Sequence, residues 1–155
     1  MTTSERQEKL KQFKNAGNVL QDVVKAIKES DINLHPILGE WSINEIIHHL
    51  SDAEAMIYLR FRKAIAEPSQ PTFVFDDKEW SEDLHYDERN TQDAVAVFKI
   101  LRTSTANLLQ LVPEDMWNFN TIIHPDMGAM TLDDMLVYYE NYTGNFISKI
   151  KAMSK

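Results

Sequence analysis

The stretch from Trp41 to Ala66 confines what this chain can fold into. Ser42 stands at a helix N-cap position, Glu45 completes a capping box three residues on, and Trp41 is placed to staple the start. Ile43, Ile46, Ile47, Leu50, Ile57, Phe61, Ala64 and Ile65 then share one broad face at 100° per residue. Such a helix, roughly 36 Å long at 1.5 Å per residue, has to bury that face against other helices. Glu67-Pro68-Ser69-Gln70-Pro71 stops it.

Four glycines and five prolines in 155 residues leave room for three more helices. The first opens at Ser4, with Gln7 completing a capping box, and carries Leu10, Phe13, Gly17, Leu20, Val24 and Ile27 at alternating spacings of three and four. Lys25 and Lys28 suit its negative end, and it stops near Ser30-Asp31. The third starts around Asn90-Thr91 and buries Ala94, Phe98, Leu101, Thr105, Leu108 and Val112, with Ile100, Leu109 and Leu111 widening the stripe before Pro113. The fourth is capped by Thr131 with Asp134 and runs to about Ala152. Its inward face is Leu132, Met135, Leu136, Tyr139, Tyr142, Phe146, Ile147 and Ile150.

Between these helices lie a loop with Pro36 and Gly39 and an irregular stretch from 68 to about 90. Phe73, Phe75 and Trp80 argue that the longer stretch lies on the bundle, as long loops in small domains usually do. Around Asp126-Met127-Gly128, β-branched residues predict a small hairpin-like loop. The expectation is an all-α four-helix bundle, one domain over 1–155, with a long crossover loop between the second and third helices.

Without cysteine there is neither a disulfide nor a thiolate ligand or nucleophile. No apolar run approaches the roughly 18 residues of a membrane span, and residues 1–17 lack the apolar core of a signal peptide, so the chain reads as cytoplasmic with no membrane partner. A net charge of −8 with dispersed Lys and Arg argues against nucleic acid, whose phosphates demand a basic face. Neither a nucleophile elbow nor a Gly-rich phosphate loop is present.

His48 falls nearly opposite the apolar face of the second helix, which predicts a solvated side chain. His49 falls on the edge of that face, in a stripe with Asp52, Met56 and Arg60. A bundle-rim histidine is either a metal ligand completed by facing helices or a half-buried ring satisfied by a neighbour. His35, His85 and His124 sit in loops, and His124 precedes a turn that could pack over the bundle end.

Trp41-Ser42, the run His48-His49-Leu50-Ser51-Asp52, and Tyr58-x-Arg60-Phe61-Arg62 resemble the DinB-like superfamily, in particular its YfiT-like branch of metal-dependent hydrolases and bacillithiol-type S-transferases. Pro71-Thr72, Phe75-Asp76-Asp77, Trp80, His124-Pro125 and Gly128 through Leu132 match in order, so the resemblance covers about residues 35 to 150. It implies a DinB-type bundle, often a homodimer whose interface lies near the second helix and the 68–90 stretch, and zinc or nickel held by three histidines. One of them carries over to His49. The other two fall at Tyr142 and Phe146.

A tyrosine must lose a proton with a pKa near 10 to bind zinc well, and phenylalanine cannot bind it at all. Asp52, Glu140 or Asn145 could contribute oxygen donors, but such a site would be weaker and differently shaped. Two readings follow from the resemblance. One is a metal-dependent hydrolase or thiol transferase acting on a small molecule. The other is a metal-free relative whose pocket, with Asp52, Arg60, His124, Tyr139, Tyr142 and Asn145 as candidates, binds a small ligand or is filled. The missing pair favours the second, with no metal bound tightly.

Overall fold

Apolar spacing in the sequence is realised as helix throughout a computed structural model that describes residues 1–154. The elements are α1 (Thr3–Lys25), α2 (Ile43–Ala66), β1 (Gln70–Pro71), a short α3 (Asp77–Asp83), α4 (Thr91–Leu109), β2 (Thr121–His124), β3 (Gly128–Thr131) and α5 (Leu132–Met153). The capping boxes expected at α2 and α5 both form. Ser42 accepts from the Glu45 N–H and Thr131 from the Asp134 N–H, and each partner's carboxylate returns to the cap's own N–H.

Three helix ends differ from expectation. Thr2, not Ser4, caps α1, with Glu5 completing the box. The two patterns overlap, and Glu5 brings a negative charge to the helix's positive end that Gln7 does not. The helix closes at Lys25 instead of near Ser30-Asp31, and a separate 3₁₀ turn covers Glu29–Asp31. That turn lets the Ile32 carbonyl accept the Asn44 N–H at 2.9 Å, tying the loop to the start of α2. At the third end, α4 stops at Leu109 and not at Val112, and Leu111 beyond it is largely exposed; Ile100, expected to widen the buried stripe, is also largely exposed, within the helix itself.

The 68–90 stretch is less irregular than the sequence suggests. It contains β1 and α3, and Asp76 caps α3 by accepting the N–H groups of Lys78 and Glu79. β2 and β3 form the expected hairpin in antiparallel register, Thr121 opposite Thr131 and His124 opposite Gly128. Gly128 takes the turn's positive φ of +72°. β1 adds to β2 in parallel, giving a three-stranded sheet in the order β1-β2-β3.

α1 and α2 each pack on both α4 and α5, so these two consecutive long helices sit diagonally across the bundle. The Phe13 and Phe61 rings meet edge-to-face on that diagonal at 5.9 Å. Gly17 permits the close approach of α1 to α4, since a Cβ there would lie 3.1 Å from the Lys99 Cα.

The core is two apolar clusters separated by a polar layer. Phe13, Phe61, Trp117, Leu136 and Tyr139 belong to one cluster, and Leu20, Leu50, Phe98, Ile147 and Ile150 to the other. Between them, at one height in the bundle, lie Glu54 of α2, Arg102 of α4 and Thr143 of α5, all buried. The Arg102 Nη2 donates to the Glu54 carboxylate at 2.5 Å and to the Thr143 hydroxyl at 2.8 Å, and its guanidinium stacks over Phe13 at 3.9 Å.

Candidate functional site

The cap at Ser42 sets the phase of α2 and turns His49 inward, where it is completely buried. Four rings surround it. Trp41 lies 4.8 Å away between centroids, Phe146 5.0 Å, and Phe75 and Tyr142 6.1 Å each. Its Nε2 is 2.5 Å from the Tyr142 hydroxyl. Burial pushes the Tyr142 hydroxyl up, so it keeps its proton, and burial pushes His49 down, so the imidazole is neutral. Tyr142 therefore donates to Nε2, and the remaining ring proton sits on Nδ1, which faces the Asp77 carboxylate at 3.9 Å. The pair rests as a protonated phenol and a neutral imidazole, and Asp77 and Asp52 only partly offset the effect of burial on the ring.

These three positions do not fit a three-imidazole metal centre. The centroids of His49, Tyr142 and Phe146 form a triangle with sides of 6.1, 5.0 and 5.1 Å. Three imidazoles around one zinc would sit similarly, roughly 5 Å apart for Zn–N bonds of about 2.0–2.1 Å. The shape is kept while the donors differ: one neutral imidazole whose lone pair already accepts from a phenol, a phenol held protonated, and a hydrocarbon ring. Among the described residues, no group of three or more His, Cys, Asp or Glu is placed to hold a metal.

Beside this cluster lies a cleft of about 460 Å³ between α2, α3, the β2–β3 hairpin and α5. That volume suits a small organic molecule. Arg60, His124, Tyr139 and Tyr142 line it, as do Phe75, expected only to lay its stretch on the bundle, and Tyr138, which sequence reasoning did not single out. Tyr138 was legible in principle, since it lies four residues before Tyr142 on the same helix face. Arg60 is 8% exposed, and its Nη1 lies 3.0 Å from the Tyr139 hydroxyl and 3.2 Å from the His124 Nε2, while Nη2 donates to the Phe73 carbonyl at 3.0 Å. Burial, reinforced by Arg60, pushes His124 down.

Two of the expected pocket residues lie elsewhere. Asp52 is not part of the lining and accepts the Tyr86 hydroxyl at 2.6 Å, while Asn145 is exposed on the outer face of α5. His48, expected to be solvated, is 1% exposed and stacks on Tyr86 at 5.7 Å. The segment after α3 folds back over the far side of α2, with Asn44 donating to the Tyr86 and Arg89 carbonyls. A second covered face leaves no trace in the helical periodicity of α2.

Comparison with known proteins agrees with this architecture. A curated relative from Oceanobacillus iheyensis, provisionally named a metal-dependent hydrolase, is 25% identical over 146 residues, covering 89% of this chain and 83% of its own. The solved structure of YfiT from Bacillus subtilis, described as a four-helix bundle of unusual topology, matches with a TM-score of 0.92 at 21% identity, covering 99% of this chain and 88% of that one. A mycothiol-dependent maleylpyruvate isomerase matches with a TM-score of 0.75 at 12% identity, covering 97% of this chain and 63% of its own. A family model for the DinB superfamily matches residues 12–141, and the chain belongs to that superfamily.

Proposed function

We propose that this chain is a DinB-superfamily protein that binds a small organic molecule in the α2–α5 cleft without a tightly held metal. The observation that carries this reading is the pairing at His49. The imidazole lone pair a metal would need is taken up by the Tyr142 hydroxyl, and Phe146 packs on the same ring. The cleft alongside nevertheless stays open and carries convergent polar groups, as ligand sites do. The curated relative's name supports a second reading, a metal-dependent hydrolase, and the family resemblance adds a thiol transferase; in either, His49 would anchor zinc or nickel.

Metal analysis of untagged protein separates the two. The expected result is no stoichiometric zinc or nickel and a melting temperature unchanged by chelator. One equivalent of metal, lost in His49→Ala, would overturn the metal-free reading. We also propose a homodimer, supported by the family resemblance and by exposed Leu59, Phe73 and Val74 along α2 and the following segment. Sedimentation at micromolar concentration should then give twice the 18.0 kDa chain mass, and a monomer would refute it.

A further inference from the structure

Buried guanidinium groups are ordinarily matched by carboxylates, because an uncompensated buried charge is costly. Arg6 follows the rule with a two-pronged pair to Asp133, and Arg102 follows it with Glu54. Arg60 does not. Its partners are a tyrosine hydroxyl, a histidine ring and a backbone carbonyl, all neutral, and its Nε–H has no partner among the described residues. Asp76, Asp77 and Asp126 line the same cleft, yet none comes within 4 Å of the Arg60 guanidinium, and Asp76 is occupied capping α3.

His124 sharpens this. Its Nδ1 accepts the backbone N–H groups of Asp126 at 3.2 Å and Met127 at 3.3 Å. A neutral imidazole has one lone-pair nitrogen, so with Nδ1 accepting, the ring proton lies on Nε2. That proton then faces the Arg60 Nη1, another donor, at 3.2 Å. The opposite tautomer only moves the conflict to Nδ1, where two backbone donors would face a third. The Tyr139 hydroxyl, 3.0 Å from the same Nη1, accepts from Arg60 and keeps its own proton to donate. Three donors thus converge, and beyond the Tyr139 oxygen already taken by Arg60 the fold supplies no acceptor between them.

We propose that Arg60, His124 and Tyr139 form a carboxylate-binding subsite at the floor of the cleft, and that the ligand is an organic acid whose apolar body lies along Ile57, Phe75, Tyr138 and Tyr142. A carboxylate oxygen placed between the Arg60 Nη1 and the His124 Nε2 converts a donor–donor contact into two charge-assisted hydrogen bonds. The subsite rests on the reading of the cleft as a small-molecule site and adds the class of molecule.

Calorimetric titration of the full chain with benzoate and with its neutral near-isostere benzamide tests it. Benzoate should bind at one site per chain and at least tenfold more tightly than benzamide, as loss of hydrogen bonds to a charged group implies. Arg60→Gln should lose that preference, and Tyr139→Phe should weaken benzoate several-fold. Should Arg60→Gln fail to fold, the Arg60 Nε–H resonance of the wild-type protein decides, since it should shift with benzoate and not with benzamide. Equal binding of the two probes in the cleft would overturn the carboxylate subsite while leaving the small-molecule reading intact. Failure of both to bind at millimolar concentration would overturn both. Benzoate binding unchanged by Arg60→Gln and Tyr139→Phe would place the anion elsewhere and end the proposal.

Discussion

Arg102→Met should destabilise the fold by about 3–5 kcal/mol, the usual cost of removing one partner of a buried ion pair. Arg102 and Glu54 are both fully buried in the layer between the two apolar clusters. Removing the guanidinium strands the Glu54 carboxylate among hydrocarbon, and the Thr143 hydroxyl loses its donor. The double variant Glu54→Leu/Arg102→Met should recover most of the loss, because apolar replacement of a whole buried pair is often neutral or stabilising. Denaturant midpoints of the two single variants and the double variant measure the coupling. A loss below about 1 kcal/mol for Arg102→Met, or additivity in the double variant, would show that the layer contributes nothing as a unit.

The same variant carries a pH signature. Burial already pushes the Glu54 carboxyl up from its ordinary value of 4.5, against the opposing pull of Arg102. Without Arg102 it rises further. A carboxyl with a raised folded pKa holds its proton in the native state to higher pH than in the unfolded chain. The stability it contributes is therefore present in mild acid and is lost as pH climbs through the folded value. The deficit of Arg102→Met relative to wild type should be smaller in mild acid than near neutrality, and a flat difference would contradict the assignment.

Sequence reasoning could not find this layer, for a physical reason. Glu54 and Arg102 belong to residue types that usually line solvated faces, and only their mutual approach from two helices makes burial tolerable. Pattern along one helix carries no information about such pairing. The opposite holds for the capping boxes of α2 and α5. These are interactions within four residues, so Ser42 with Glu45 and Thr131 with Asp134 read directly from the sequence. The apolar faces that follow were legible for the same reason, since spacing along one helix fixes them. His48 was misjudged because its cover comes from Tyr86, 38 positions downstream, in a stretch without strong periodicity. Of the pocket candidates drawn from helix phase and family motif, Arg60, His124, Tyr139 and Tyr142 line the cleft, whereas Asp52 and Asn145 do not. The hydrogen-bond conflict at Arg60 and His124 was not legible in the sequence, since it depends on the β2–β3 turn bringing the Asp126 and Met127 N–H groups onto His124.

Installing two histidines, Tyr142→His with Phe146→His, should give a chain that binds a single equivalent of zinc tightly. Positions 142 and 146 lie one turn apart on α5, both against His49, in a triangle already shaped like a three-imidazole centre. Only the donors are missing. The substitutions free the His49 Nε2 from the Tyr142 hydroxyl and supply two neutral rings, and zinc of tetrahedral preference keeps a fourth position for water. With zinc at about 100 times its dissociation constant, linkage stabilises the folded state by about 2.7 kcal/mol, or roughly 5–10 °C in melting temperature for a chain of this size. Chelator should erase the gain, and His49→Ala added to the pair should abolish it. If the double variant binds no zinc, the ring triangle is a packing coincidence and not the outline of a metal centre.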